Sequence, residues 1–169
     1  LSSTIYQVVK LYKLDILHAH YAIPYAYAAF FAKQMLKEEN SDIPLVTTLH
    51  GTDITLVGQH PSYKHAVEFS INQSDKITTV SESLKADTLK FFQISKEIEV
   101  ITNFIDNKEF EDLRVCQRNQ FANDDEKILI HVSNLRPVKR VQDVLDIFKK
   151  VEKSVKSKLL ILGDGPDVE

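Results

Sequence analysis

The sequence predicts an α/β fold in which two parallel-sheet domains follow one another along the chain. Three observations lead there. Short β-branched or apolar runs alternate with segments whose apolar residues recur at helical spacing, the pattern of right-handed strand–helix–strand units. The run at 43–49 (IPLVTTL) is apolar on both parities, as expected of a strand covered on both faces. A polar stretch over 106–126 then interrupts the alternation, which resumes with a new strand-like run at 127.

Over 4–14, Ile5, Val8, Val9, Leu11 and Tyr12 share helical spacing. Residues 15–21 are short, apolar and interspersed with histidine, and suit a strand. Pro24 is placed for a helix start, where its missing N–H costs nothing, and 26–37 is rich in helix formers. After the strand at 43–49, Pro61 opens a further helix with Tyr63, Ala66, Val67, Phe69, Ser70 and Ile71 on or near its inner face. KITTV at 76–80 is a strand, Ser81 an N-cap for a helix through Phe92, and EIEVI at 97–101 another strand. Beyond the polar stretch, KILIHV at 127–132 is a strand. A helix over 141–151 turns Val144, Leu145, Ile147, Phe148 and Val151 inward, and KLLIL at 158–162 is the next strand. The expected organisation is the later part of one domain over 1–107, a linker or crossover over 108–126, and the start of a second domain over 127–169. Leu1 in place of an initiator methionine, and a chain end just after a strand, suggest that both domains are incomplete and that this is an internal piece of a longer protein.

Composition narrows the function classes. The 169 residues carry Lys+Arg 21 against Asp+Glu 24, a net charge of −3, with 43% hydrophobic and 27% charged residues. That globular balance excludes collagen, coiled coil and wholesale disorder. No stretch approaches the roughly 20 apolar residues that span a bilayer. A single cysteine, Cys116, excludes an intrachain disulfide framework and a cysteine-based zinc site, and favours the cytoplasm. The slightly negative charge argues against nucleic acid and membrane surface as partners.

In open α/β sheets, ligands bind beyond the carboxyl ends of the strands. That rule selects the loops at 20–24, 50–58, 101–106 and 133–140. In Leu49-His50-Gly51-Thr52-Asp53, a histidine at a strand end precedes a glycine that lets backbone approach a ligand. The plainer alternative is a turn in which Asp53 caps the next segment and His50 bonds a carbonyl. His18 and His20 share one strand face. Two histidines alone do not complete a tetrahedral metal site, and the chain has no HExxH, so satisfied histidines are expected, with His20 the better site candidate. Arg136, Lys139 and Arg140 follow one strand and precede a helix, where fixed cations and free N–H groups suit a phosphate; the alternative is a solvated basic turn. Gly163-Asp164-Gly165-Pro166 is a glycine turn without GxGxxG spacing, and neither GxxxxGK[ST] nor GxSxG occurs. Those absences disfavour a standard dinucleotide site, a P-loop ATPase and an α/β-hydrolase.

Five strings occur in order: LHGTD at 49–53, VSESL at 80–84, VITNFID at 100–106, HVSNLRPVKR at 131–140 and LLILGDGP at 159–166. Each is loose alone. Together they resemble the retaining family 4 glycosyltransferases, whose GT-B fold has two facing Rossmann-like domains, and the likeness covers essentially the whole chain. HAHYAIPYAYAA at 18–29, TTLHGTDITLVGQHPSY at 47–63 and EFSINQSD at 68–75 further resemble members that transfer N-acetylglucosamine from UDP-GlcNAc to L-malate in bacillithiol biosynthesis.

The resemblance implies an acceptor-binding first domain and a sugar-nucleotide-binding second one. His50 matches the family histidine beside the transferred sugar, the catalytic position. Lys139 matches the lysine of the loop that grips the donor diphosphate. The family arginine usually stands five residues earlier, where this sequence has Asn134, and the nearest arginine is Arg136; the diphosphate set is therefore Arg136, Lys139 and Asn134. Asn103 fits a PNG-like loop, with Phe104 where many members have glycine, and His20, Tyr21 and Thr48 fall on the acceptor side. A glycine-rich loop before Leu1 and an acidic donor-binding motif after Glu169 are expected outside the chain, which alone is expected to be inactive. In such enzymes the acceptor attacks on the face the leaving group departs from, and the departing phosphate takes the acceptor's proton. Arg136 and Lys139, with a helix N-terminus, would stabilise that phosphate. No metal or other cofactor is expected, the donor being a co-substrate. The partners implied are a small-molecule donor and acceptor, and a homo-oligomer stays open. The alternatives are a family 4 enzyme with a lipid or polysaccharide acceptor, and a non-catalytic α/β binding module.

Overall fold

A computed structural model of the chain describes residues 1–108 and 118–168. It divides into two compact units, Leu1–Ile105 and Asp106–Glu169. Each holds a parallel sheet with helices between its strands, the class the alternating pattern predicts.

The first unit runs α1 (Ser2–Tyr12), β1 (Leu17–His20), α2 (Tyr27–Lys37), β2 (Leu45–Leu49), α3 (Pro61–Gln73), β3 (Lys76–Thr79), α4 (Glu82–Phe91) and β4 (Ile98–Val100). Its strands lie side by side in chain order, all parallel, with His20 opposite Thr48 and Thr48 opposite Thr78. Ser81 caps α4 as expected, its Oγ accepting the Leu84 N–H at 3.2 Å. Ile23 is held extended (φ −127°, ψ 143°), as the residue before a proline prefers. The helical run then starts at Pro24, where the sequence predicts a helix start, and passes through Ala26 into α2 at Tyr27.

The two faces of this sheet differ. Leu17, Ala19, Leu45, Thr47, Leu49, Ile77 and Thr79 are buried on one face. Leu49 and Ile77 pack there with Val67 and Ile71 of α3, and Leu17 and Leu45 with Ala29 and Leu36 of α2. His18, His20, Val46, Thr48 and Thr78 alternate onto the other face and line a cavity. β2 is buried at Leu45, Thr47, Thr48 and Leu49, on both faces, with Val46 half-buried; α2 and α3 pack on one face and the other lines the cavity. The inner face of α3 is narrower than its apolar residues suggest. Val67, Ser70 and Ile71 are buried, while Tyr63 and Phe69 are exposed, Phe69 meeting Phe30 edge-on at 5.5 Å. A polar link between buried Lys33 and exposed Asp75 ties helix to sheet: Asp75 Oδ2 accepts from Lys33 Nζ of α2 at 2.5 Å and from the Leu45 N–H at 2.6 Å.

In the second unit, Arg118 donates to the Asn123 carbonyl at 2.7 Å, and Glu126, buried, accepts the Asn123 N–H at 2.8 Å. This turn leads into β5 (Lys127–Val132), α5 (Val141–Val151) and β6 (Ser157–Leu162), with β5 and β6 paired in parallel. Ile147 of α5, expected inward, is exposed. The loops after β5 and β6 lie against each other: the Leu135 N–H donates to the Asp164 carbonyl at 2.9 Å. Gly163 (φ 147°) and Gly165 (φ 156°) allow this approach, since a Cβ at either would fall 1.8 Å from the Ser133 oxygen or 2.2 Å from the Leu135 oxygen. Residues 109–117, with Cys116 and the middle of the 108–126 stretch, lie outside the described residues. Among the described residues no helix is long and apolar enough to cross a membrane.

Candidate active site

The first unit opens a cavity of about 310 Å³ where the carboxyl ends of its strands meet the following loops. His18 and His20 reach it from β1, Thr48 from β2, Thr78 from β3, His50 from the loop after β2, and Asn103 from the loop after β4. Period-two alternation sets the strand residues on this face. The loops are fixed by Asp53, which is 2% exposed. Its Oδ2 accepts the Ala22 N–H at 3.0 Å and its Oδ1 the Gly51 N–H at 3.0 Å, so one carboxylate ties the 20–24 loop to the 50–53 loop. Ser70 adds a second tie, donating to the Ala22 carbonyl at 2.6 Å. The plainer reading of LHGTD does not describe it: Asp53 binds the backbone of preceding residues rather than capping the segment after it, and the His50 side chain meets another ring rather than a carbonyl.

That ring is His20, whose Nδ1 lies 2.7 Å from His50 Nε2. The Tyr21 ring packs on His50 at 4.9 Å, and the His18 ring on His20 at 4.5 Å. His18 Nε2 is 2.7 Å from Thr48 Oγ1, which is in turn 2.7 Å from Thr78 Oγ1. Burial first, then charge repulsion from His20 and His50, holds the His18 imidazole below its ordinary pKa. The cavity sets imidazole, hydroxyl and amide groups among the apolar side chains Val46, Val80, Ile101 and Phe104, and among the described residues no carboxylate lines it. His20, Thr48, His50 and Asn103 come together here as singled out from the sequence, and Tyr21 packs beside them. His18 and Thr78 are additions. Their signal was available, since Thr78 stands two residues before the end of its KITTV run as Thr48 stands two before His50, but only the register places them together.

In the second unit, Pro137–Lys139 form a 3-10 turn and Arg140 (φ 51°) redirects the chain into α5, whose first turn has no side-chain cap. Asn134, Arg136 and Lys139 are exposed, while Leu135 between them is buried. The three cations are not equivalent. Arg140 pairs with Asp143, whereas among the described residues neither Arg136 nor Lys139 has a carboxylate at ion-pair distance. Two exposed cations beside an uncapped helix start are suited to an anion.

The signature of Glycosyltransferase Family 4 matches residues 1–109. The chain belongs to glycosyltransferase family 4. This family 4 chain is 46% identical, over 99% of its length and 44% of the relative's, to N-acetyl-alpha-D-glucosaminyl L-malate synthase of Bacillus anthracis. It is 28% identical over 90% of its length to an uncharacterized glycosyltransferase of Methanocaldococcus jannaschii, covering 41% of that protein. It is also 28% identical over 95% of its length to alpha-monoglucosyldiacylglycerol synthase of Streptococcus pneumoniae, covering 38%. The family 4 chain thus spans less than half the length of each of these relatives.

Proposed function

We propose that this chain is part of a retaining glycosyltransferase that moves N-acetylglucosamine from UDP-GlcNAc to L-malate and releases UDP. The observation that carries the reading is the 46% identity to the malate synthase, which runs through both the His50 cavity and the Arg136–Lys139 loop. The first unit receives the acceptor and the transferred sugar, with His50 at the sugar and His20, Tyr21, Thr48 and Asn103 around it. The second unit holds the donor diphosphate through Arg136, Lys139 and Asn134.

Charge dictates the division of labour. As the acceptor hydroxyl bonds to the anomeric carbon, the bond from that carbon to the phosphate oxygen breaks and negative charge grows on the diphosphate. Arg136, Lys139 and the N–H groups at the start of α5 oppose that charge. The leaving phosphate takes the hydroxyl proton, so the reaction needs no carboxylate base. The engagement of both Asp53 carboxylate oxygens by the Ala22 and Gly51 N–H groups supports this. No metal is called on in this scheme, and the enzyme is proposed to work in the cytoplasm, where its nucleotide donor is made.

The test is UDP release by the full-length protein from UDP-GlcNAc with and without L-malate. Malate-dependent release is expected. Turnover that ignores malate and follows another acceptor would overturn the assignment.

A further inference from the structure

His20 and His50 face each other at the cavity, Nδ1 to Nε2 at 2.7 Å, with ring centroids 5.0 Å apart. Nitrogens this close bond only with one hydrogen between them. With none, lone pairs oppose; with one on each, hydrogens collide. The count constrains the remaining nitrogens, Nε2 of His20 and Nδ1 of His50. Two neutral imidazoles carry two N–H hydrogens. With one hydrogen between the rings, one outer nitrogen is a donor and the other an acceptor. One added proton makes both outer nitrogens donors and gives the pair a single positive charge. A second added proton would break the bond.

We propose that His20 is a positioning residue for His50, fixing its ring through this shared hydrogen so that the two histidines titrate as a unit accepting one proton. The inference rests on the reading of His50 as the residue at the transferred sugar. The surroundings favour a single charge. His18 stacks on His20 as a third imidazole, itself held by Thr48. Tyr21 packs on His50, and the Asp53 carboxylate behind it accepts the Gly51 N–H at 3.0 Å and the His50 N–H at 3.4 Å. From β3 the nearest contribution is the Thr78 hydroxyl, and the loop after β4 adds Thr102 and Asn103, none of them titratable; among the described residues no lysine, arginine or carboxylate lines the cavity. Like charges in contact oppose double protonation, and no anion in the lining offsets them.

The experiment is imidazole nitrogen NMR on the full-length protein labelled at histidine, titrated across the histidine range from about pH 5 to 9. One proton shared between His20 and His50, with both sets of signals moving together, is expected in the unsubstituted protein. Two independent protonations would overturn the proposal without recourse to any variant. In His20→Phe, which keeps a ring but loses the nitrogen, His50 is expected to titrate alone. Transfer should fall about 10- to 100-fold in kcat/KM, chiefly in kcat, as for a misplaced reacting group. His20→Asn, whose amide can occupy the Nδ1 position, should recover part of that loss. An unchanged His50 titration in His20→Phe rejects the pairing. Absence of malate-dependent transfer in the unsubstituted enzyme instead rejects the functional reading, and the titration still decides the pairing.

Discussion

Asp53 directs both carboxylate oxygens at backbone N–H groups of two loops, and one of those partners, Ala22, lies 31 residues away. The consequence is structural. Asp53→Ala leaves the fully buried Ala22 N–H and the half-buried Gly51 N–H without an acceptor, a loss of about 2 kcal/mol. Urea unfolding of the full-length protein should show it as a lower midpoint with an unchanged slope. Asp53→Asn, keeping one oxygen, should lose less. An Asp53→Ala protein as stable as the original would mean that the clasp does not hold the two loops. The sequence offered only half of this. LHGTD displayed a polar turn at a strand end, but the capping reading aimed Asp53 at the segment after it, whereas it accepts from the Gly51 N–H before it. The partner across the chain was invisible, because it depends on β1 and β2 ending side by side. The histidines had the same fate: alternation put His18 and His20 on one face, but the His20–His50 contact arises from register.

Strands and helices were legible because their signals are local: Ser81 as an N-cap, the apolar strand runs, the helix at 141–151. Side-chain direction was less so. Phe69 and Ile147 satisfy helical spacing yet face outward, since spacing marks a stripe and only packing decides how wide it is. The Lys33–Asp75 link between α2 and the sheet carried no sequence signal either. Lys33 is buried, with its ammonium on Asp75 at 2.5 Å and on the more exposed Asp42 at 3.5 Å. Burial alone would raise the Asp75 pKa. The Lys33 hydrogen bond, the Leu45 N–H and the charges of Lys33 and Lys96 outweigh it and hold the carboxyl below its ordinary value of 3.8. A carboxylate depressed on folding stabilises the protein above its unfolded pKa. That contribution is lost as pH falls from about 4 through the folded value. Asp75→Ala is therefore expected to cost about 2 kcal/mol at neutral pH, moderated by Asp42 and by partial exposure, and to cost little once the pH is below both values. Denaturant titrations of the two proteins at neutral and acid pH measure the difference; a gap that persists undiminished in acid would remove the ion pair as its cause.

At the scale of the molecule, a polar stretch interrupts an otherwise regular alternation in the sequence, and the chain divides into two compact units at Asp106. The basic loop stood out against an overall charge of −3, but its three cations looked alike until Asp143 separated Arg140 from the others. That separation gives a prediction about which part of the protein holds which ligand. UDP carries the diphosphate but not the transferred sugar. If Arg136 and Lys139 grip the diphosphate, UDP at about 100 times its Kd should stabilise the full-length protein by about 2.7 kcal/mol, read as a rise in Tm. Lys139→Ala should weaken UDP about tenfold and remove roughly 1.4 kcal/mol of that protection. Arg140→Ala, which loses a cation already neutralised by Asp143, should leave most of it. His50→Ala should leave UDP protection intact while lowering transfer by about 100-fold, because its role begins only when a sugar is present to be moved. The pattern matters more than any single value. Protection that survives Lys139→Ala, or that vanishes with His50→Ala, would place the nucleotide on the wrong unit and undo the assignment of donor to the second and acceptor to the first.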